Sequence, residues 1–221
     1  MFRARPLPER PALLERKGPR EGNRRACSDR RRGACAPSIA ETQGGEACRP
    51  EGKAEVTAHA LPGTRAPDFN LPLVGAGYRG LADLIHPGGG VLVFFKEDCP
   101  ASELVVPRLG PLAGALEREE RFFLAVAQDS EETARAFRDR HHLRFQIAWE
   151  EAPYAASRAY GIETVPALFI VDGTGVIAER VEGFIKSEYL ALGAGIEQAL
   201  ALGAAPPVLE RPEELPALRP G

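Results

Sequence analysis

The sequence predicts an α/β sandwich built on a mixed central sheet, and three observations support that prediction. From about residue 61 onward, runs of apolar β-forming residues alternate with stretches of helical periodicity. The run Val-Leu-Val-Phe-Phe at 91–95 is continuously apolar, as a strand buried on both faces requires. Two further apolar runs flank the turn sequence at 172–175, Asp-Gly-Thr-Gly, which predicts a hairpin before a closing helix.

The individual elements follow from apolar runs and from helix start and stop signals. The predicted strands are 67–71, 91–95, 122–127, 145–149, 167–171 and 176–181. The predicted helices are 81–85, 100–119, 130–140, 152–160 and 186–202. Ser130 is the expected N-cap of the helix at 130–140, because acids follow it in the first turn. Gly161 is the expected end of the helix at 152–160, and Glu150 and Glu151 before that helix are interpreted as a solvated turn.

Charge divides the 221 residues into unlike parts, although the whole chain carries a formal charge of only −3. Residues 1–56 hold 13 Lys and Arg against 8 Asp and Glu, whereas residues 57–221 hold 15 against 23. The first part has few large apolar residues and predicts a disordered basic segment; translation that begins near Val56 is the other open interpretation. Residues 57–202 are predicted to form one domain, and 203–221, with five prolines, to form a tail rather than an element.

Composition argues against several classes of partner. No stretch reaches the roughly 20 apolar residues of a membrane helix, so we expect no membrane contact and a cytoplasmic location. The acidic domain disfavours nucleic acid, and the basic segment has no aromatic residues between its arginines. We predict no metal and no other cofactor. The adjacent His141 and His142 cannot face one ion from a helix, and seven and twelve residues separate Cys27, Cys35 and Cys48.

Cys99 is the candidate reactive residue. It stands where a buried strand ends and a helix begins, and Pro100 suits the first turn of that helix. A sulfur at this corner would face unpaired backbone N–H groups, which favour the thiolate that attacks disulfides. Lys96 would add a positive charge, whereas Glu97 and Asp98 act in the opposite direction. An inert, buried cysteine is the alternative interpretation.

These residues resemble the active site of the thioredoxin-like superfamily, and within it the redoxin and thiol-specific antioxidant group. The stretch Cys-Pro-Ala-Ser at 99–102 stands where that family has Cys-x-x-Cys. Pro107 resembles the family's helix-kinking proline, and Thr-Val-Pro at 164–166 resembles its cis-proline loop. The stretch at 63–69 resembles the opening of redoxins, and the resemblance covers about residues 61–202.

The resemblance implies a thioredoxin-like three-layer sandwich, in which helices flank the mixed sheet. It also implies a redoxin-type insertion between the active-site cysteine and the cis-proline. In that arrangement Cys99 is the nucleophile, and Ser102 stabilises its thiolate. Pro100, Val165 and Pro166 would hold a substrate beside the sulfur.

Ser102 marks the main departure from the family, because it replaces the second cysteine. A hydroxyl cannot attack a mixed disulfide, so the dithiol mechanism is excluded within residues 57–221. Three outcomes stay open. Cys99 works as a monothiol with glutathione, another small thiol or a thioredoxin-type partner; a cysteine of the basic segment (Cys27, Cys35 or Cys48) resolves it; or redox activity is lost.

The leading prediction is a thiol oxidoreductase that uses one nucleophilic cysteine for thiol–disulfide exchange, with peroxide reduction as a further activity. One alternative is a redox-inactive binding module with a thioredoxin fold. The other is a one-cysteine peroxidase. That alternative is disfavoured, because Lys96 and Leu92 stand where peroxiredoxins place a Thr or Ser and a Pro. The sequence does not indicate the oligomeric state.

Overall fold

A five-stranded mixed sheet organises the part of the chain that this computed structural model describes, residues 60–85 and 88–221. The predicted disordered segment and its three cysteines lie outside the described residues. The strands are β1 (Asn70–Pro72), β2 (Tyr78–Gly80), β3 (Gly89–Phe95), β4 (Phe122–Ala127), β5 (Gln146–Trp149), β6 (Ala167–Asp172), β7 (Ile177–Glu182), β8 (Phe184–Ile185) and β9 (Leu218–Arg219). The helices are α1 (Leu81–Ile85), α2 (Pro100–Val105), α3 (Gly110–Arg118), α4 (Glu131–Arg140), α5 (Ala155–Ala159) and α6 (Lys186–Ala199).

The strand order of the sheet is β5-β4-β3-β6-β7. Strands β3, β4 and β5 run parallel, and β6 and β7 pair antiparallel beside β3. The mixed sheet and its alternating helices confirm the predicted α/β fold class. Between Cys99 and Pro166 lie two strands and their helices, as the predicted insertion requires.

Alternating side chains of the buried strands divide the core into two layers. Val91, Val93 and Phe95 of β3 pack with residues of α2, α3, α4 and α6 on one face of the sheet. Leu92 and Phe94 pack with residues of α1 and α5 on the other face. Every residue of β3 is buried, which follows from the continuous apolar run and the period of two along a strand. The central strand therefore holds both helical layers in place.

The long helix predicted at 100–119 is broken. A 3₁₀ turn at Val106–Leu109 separates α2 from α3, and Pro107 lies in that turn. Proline lacks the N–H that a continuous helix needs, so the helix breaks at Pro107. The helix predicted at 152–160 is shorter than expected: Tyr154 has a left-handed backbone with φ of 55°, and α5 begins only after it.

The Pro-rich segment, residues 203–221, was predicted to form a tail without elements, and that prediction is wrong. Pro212–Glu214 forms a 3₁₀ turn, and β9 pairs antiparallel with β8. The side chains of Val208, Leu209 and Leu215 are buried in the same core layer as α6. Proline spacing excluded a long helix but did not reveal that three apolar residues anchor the segment to the domain.

Glu150 is buried, not solvated as the sequence predicted, with only 6% of its surface exposed. Its carboxylate accepts hydrogen bonds from the backbone N–H groups of Ala156 and Ser157, each at 2.9 Å. It also accepts one from the Ser157 hydroxyl. A buried carboxylate needs such donors, and here they belong to the first turn of α5. Glu150 therefore fixes α5, which leads into the loop at 163–166.

Among the described residues, none of the helices has both the length and the apolar character needed to cross a membrane. The expected cytoplasmic location is a separate question and stays a prediction.

Glu150→Ala should lower the free energy of unfolding by about 2–5 kcal/mol, because it leaves buried donors of α5 without an acceptor. Urea denaturation measures this loss. The matched control is Glu151→Ala, which removes an exposed carboxylate next to it and should change stability by less than about 0.5 kcal/mol. Equal stability of the two variants would contradict the structural role of Glu150.

Candidate active site

Cys99 lies at the corner between the end of β3 and the start of α2. It is the N-cap of α2, with extended backbone angles of φ −87° and ψ 119°. Its sulfur accepts a hydrogen bond from the backbone N–H of Ser102 at 3.5 Å. The residue is 7% exposed, and Pro100 occupies the first turn of the helix. Cys99 therefore lies at the strand-to-helix corner that the sequence predicted.

The cis-proline loop lies on the other side of that sulfur. The peptide bond between Val165 and Pro166 is cis, the isomer that the family resemblance implied. The Cys99 thiol donates to the carbonyl oxygen of Val165 at 3.3 Å. Phe94 at the end of β3 is in register with Ala167 at the start of β6. The antiparallel pairing of β3 and β6 thus brings together two segments 66 residues apart.

Ser102 is fully buried behind the corner. Its backbone N–H donates to the Cys99 sulfur, and its hydroxyl oxygen accepts from the backbone N–H of Lys96 at 3.4 Å. The predicted contact between the hydroxyl and the thiolate does not occur among the hydrogen bonds of the described residues. Ser102 instead ties the turn before the cysteine to the helix after it.

Charged side chains around the corner form ion pairs. Lys96 Nζ lies 2.9 Å from Asp98 Oδ2, and that hydrogen bond raises the pKa of the Lys96 ammonium. Glu97 and Glu103 both bind Arg140 of α4, at 3.0 and 3.1 Å. These pairs are partly exposed, so each contributes little stability by itself. Lys96, proposed from the sequence as a cation for the thiolate, has its charge matched by Asp98.

Asp129 is a site residue that sequence reasoning missed. Its carboxylate accepts from the backbone N–H of Glu97 at 2.9 Å and so holds the turn that precedes Cys99. Burial raises the pKa of the Asp129 carboxyl above its ordinary value. The signal was present, since Asp129 follows β4, and the carboxyl ends of parallel strands β3 and β4 meet at one edge of the sheet.

The structure shows no metal centre among the described residues: no group of three or more His, Cys, Asp and Glu side chains is placed to hold an ion. The expectation that the protein uses no cofactor stays a prediction.

The comparisons with known proteins agree with this geometry. The sequence model of the AhpC/TSA family matches residues 62–180, which is more than half of the chain. The chain belongs to the AhpC/TSA family. Membership in AhpC/TSA confirms the redoxin resemblance that the sequence analysis drew from the corner at Cys99 and the loop at Pro166. No curated protein sequence matches the chain.

Solved structures extend the likeness of this AhpC/TSA chain to the thioredoxin-like fold. A candidate thiol:disulfide interchange protein DsbE from Chlorobium tepidum is 25% identical, with a TM-score of 0.58 over 63% of this chain and 97% of that one. A candidate protein disulfide isomerase from Bacteroides thetaiotaomicron is 16% identical, with a TM-score of 0.59 over 65% and 92%. Peroxidoxin BcpB from Mycobacterium tuberculosis is 18% identical, with a TM-score of 0.52 over 65% and 96%.

Asp129→Ala should remove about 1–2 kcal/mol of stability, because the Glu97 N–H loses its acceptor at the corner. Asp129→Asn keeps an acceptor oxygen and should recover most of that loss. Urea denaturation gives the stability, and the rate of Cys99 alkylation reports the geometry of the corner.

Asp139→Ala is the control for that experiment, since Asp139 is an exposed acid of α4 whose side chain pairs with its neighbour Arg138. Its stability and alkylation rate should match those of the wild type. If Asp129→Ala behaves like Asp139→Ala, the hydrogen bond to Glu97 does not hold the corner.

Proposed function

We propose that the protein is a thiol–disulfide oxidoreductase that uses Cys99 as its single nucleophile. The observation that supports this most strongly is the position of the sulfur. It lies between the N–H of Ser102 and the carbonyl of Val165, beside the cis-Pro166 peptide. A disulfide bound along this loop would lie beside the sulfur. The DsbE-like protein from Chlorobium tepidum, 25% identical, supports the same class of reaction.

The first step is attack on a substrate disulfide. The Cys99 thiol gives up its proton, and its sulfur bonds to one sulfur of the substrate. The substrate S–S bond breaks, and the other half leaves as a thiolate that takes up a proton. Reaction requires the thiolate, and the Ser102 N–H is the donor placed to stabilise it.

The loop at 163–166 orients the substrate in this proposal. The Val165 carbonyl accepts from the Cys99 thiol before the reaction. In this proposal it accepts from an N–H of an extended substrate once the proton has left. Pro166 is buried, so its ring fixes the loop against the domain. An extended polypeptide with a disulfide is therefore the substrate class that the loop favours.

The second step needs a thiol from outside the described domain. Ser102 stands where a second cysteine would resolve the mixed disulfide, and its buried hydroxyl cannot do so. An external thiol attacks the captured half, a new disulfide forms between the two, and the Cys99 thiolate is released. The sum converts one disulfide and one thiol into another disulfide and another thiol. Glutathione, another small thiol or a thioredoxin-type reductant would supply the attacking sulfur.

Ser102→Cys should convert the single-thiol cycle into a dithiol cycle. In wild type, one substrate half should stay bound to Cys99 until an external thiol is added. In Ser102→Cys, the new thiol at this position should release that half at once and leave an intramolecular disulfide. Intact mass before and after addition of glutathione distinguishes the two states.

Ser102→Ala is the matched control, because it removes the hydroxyl without adding a thiol. It should keep the bound half as wild type does. Release from wild type without any added thiol would contradict a single-nucleophile mechanism.

Cys99→Ser separates the proposal from its two alternatives. The oxidoreductase loses disulfide exchange to background, whereas a binding module keeps its partner with unchanged affinity. A one-cysteine peroxidase would instead consume micromolar peroxide and form a sulfenic acid at Cys99 in the wild type. Exchange activity that survives Cys99→Ser would overturn the proposal.

A further inference from the structure

Residues 216–221 of the Pro-rich segment lie beside the candidate active site. Strand β8 (Phe184–Ile185) directly follows Gly183, whose N–H donates to the carbonyl of Pro166 at 2.8 Å, and β9 pairs with β8. The register sets Ile185 opposite Leu218 and Phe184 opposite Arg219. The Lys186 N–H also donates to the carbonyl of Ala217 at 2.9 Å. The chain therefore continues from β9 toward the loop at 163–166.

Gly221 reaches that loop. A Cβ atom added to Gly221 would lie 2.4 Å from the carbonyl oxygen of Val165 and 2.6 Å from Cγ2 of Thr164. The same Val165 oxygen accepts from the Cys99 thiol at 3.3 Å. One carbonyl thus lies close to both the reactive sulfur and the Pro-rich segment. A side chain at this position would collide with the backbone of Val165 unless one of the two segments moved.

The segment is anchored before it reaches the site. Val208, Leu209 and Leu215 are buried, and Lys186 Nζ donates to the Leu215 carbonyl at 2.8 Å. A Cβ on Gly193 of α6 would lie 3.0 Å from the Pro206 carbonyl, so the segment packs closely on that helix. These contacts fix residues 206–215 and determine where the following residues run.

We propose that residues 216–221 form an internal occluding strand, which occupies the backbone edge that an extended substrate must reach to meet Cys99. This inference rests on the proposed function for its substrate, but the contact with Val165 is independent of any activity. Access to Cys99 then requires the occluding strand to leave the loop. A polypeptide that carries a disulfide competes with residues 216–221 for the same edge.

The occluding strand is weakly held and can detach from the loop at 163–166. All of residues 216–221 are exposed, and Leu218 presents 58% of its surface to solvent. Beyond the buried Leu215 they are held by the two-residue ladder of β8 and β9 and by the hydrogen bond from the Lys186 N–H to the Ala217 carbonyl. Segments with few buried contacts open at low free-energy cost while the rest of a domain stays folded. Cys99 is only 7% exposed in the closed arrangement.

Gly221→Leu tests the occluding strand in the full chain. The added side chain has no room beside Val165 and should displace residues 216–221 from the loop. Alkylation of Cys99 by a bulky maleimide, read from the mass of the Cys99 peptide, should accelerate roughly tenfold, because the rate follows the open fraction. Gly203→Leu is the matched control: it lies in the same segment, and a Cβ there would meet nothing within 4 Å.

Removal of residues 216–221 gives a second, independent variant, since these residues are exposed and their loss uncovers little of the core. It should accelerate alkylation at least as much as Gly221→Leu. Cys99 alkylation within about twofold of wild type in both variants would overturn the occluding strand. Faster alkylation without disulfide exchange would instead support the occluding strand and contradict only the proposed function.

Discussion

The contact between the Cys99 sulfur and the Val165 carbonyl depends on one constraint, the antiparallel pairing of β3 with β6. Strand β3 ends at the corner that carries the cysteine, and β6 begins directly after the cis-proline. Their register therefore decides whether the two halves of the site meet. Both strands are buried on both faces, and a slip by one residue would move every apolar side chain to the wrong layer. The packing of both core layers therefore fixes the register that holds the Cys99 sulfur 3.3 Å from the Val165 oxygen.

Around that contact, backbone groups and internal caps do most of the positioning. The Ser102 N–H faces the sulfur, Asp129 holds the turn before it, and Glu150 holds the helix that leads to the loop. Side-chain charges at the corner form partly exposed ion pairs, so they tune the site more than they build it. Because the described domain has one thiol, the main chemical question is which molecule supplies the sulfur that resolves the mixed disulfide. The occluding strand adds a second question, which is how a substrate reaches Cys99.

The sequence predicted features that depend on local patterns and on the order of motifs. The buried run at 91–95 and the corner at Cys99 each carry their signal within a few residues. Asp129 and Gly221 do not, because their contacts are with residues distant in sequence. The partners of Glu150 are close in sequence, but its burial depends on how α5 packs. A glutamate in a turn is usually solvated, but Glu150 is buried. A Pro-rich stretch usually lacks regular elements, but residues 203–221 contain a 3₁₀ turn and buried apolar side chains. Burial of this kind depends on tertiary packing, which composition alone does not encode.

The central claim is that Cys99 forms a mixed disulfide that no other sulfur of the chain resolves. The most direct measurement is the mass of the full-length protein after reaction with glutathione disulfide, followed by mapping of its disulfides. The account predicts one glutathione on Cys99, which stays until free glutathione is added. An unmodified Cys99, or a disulfide between Cys99 and Cys27, Cys35 or Cys48, would contradict it.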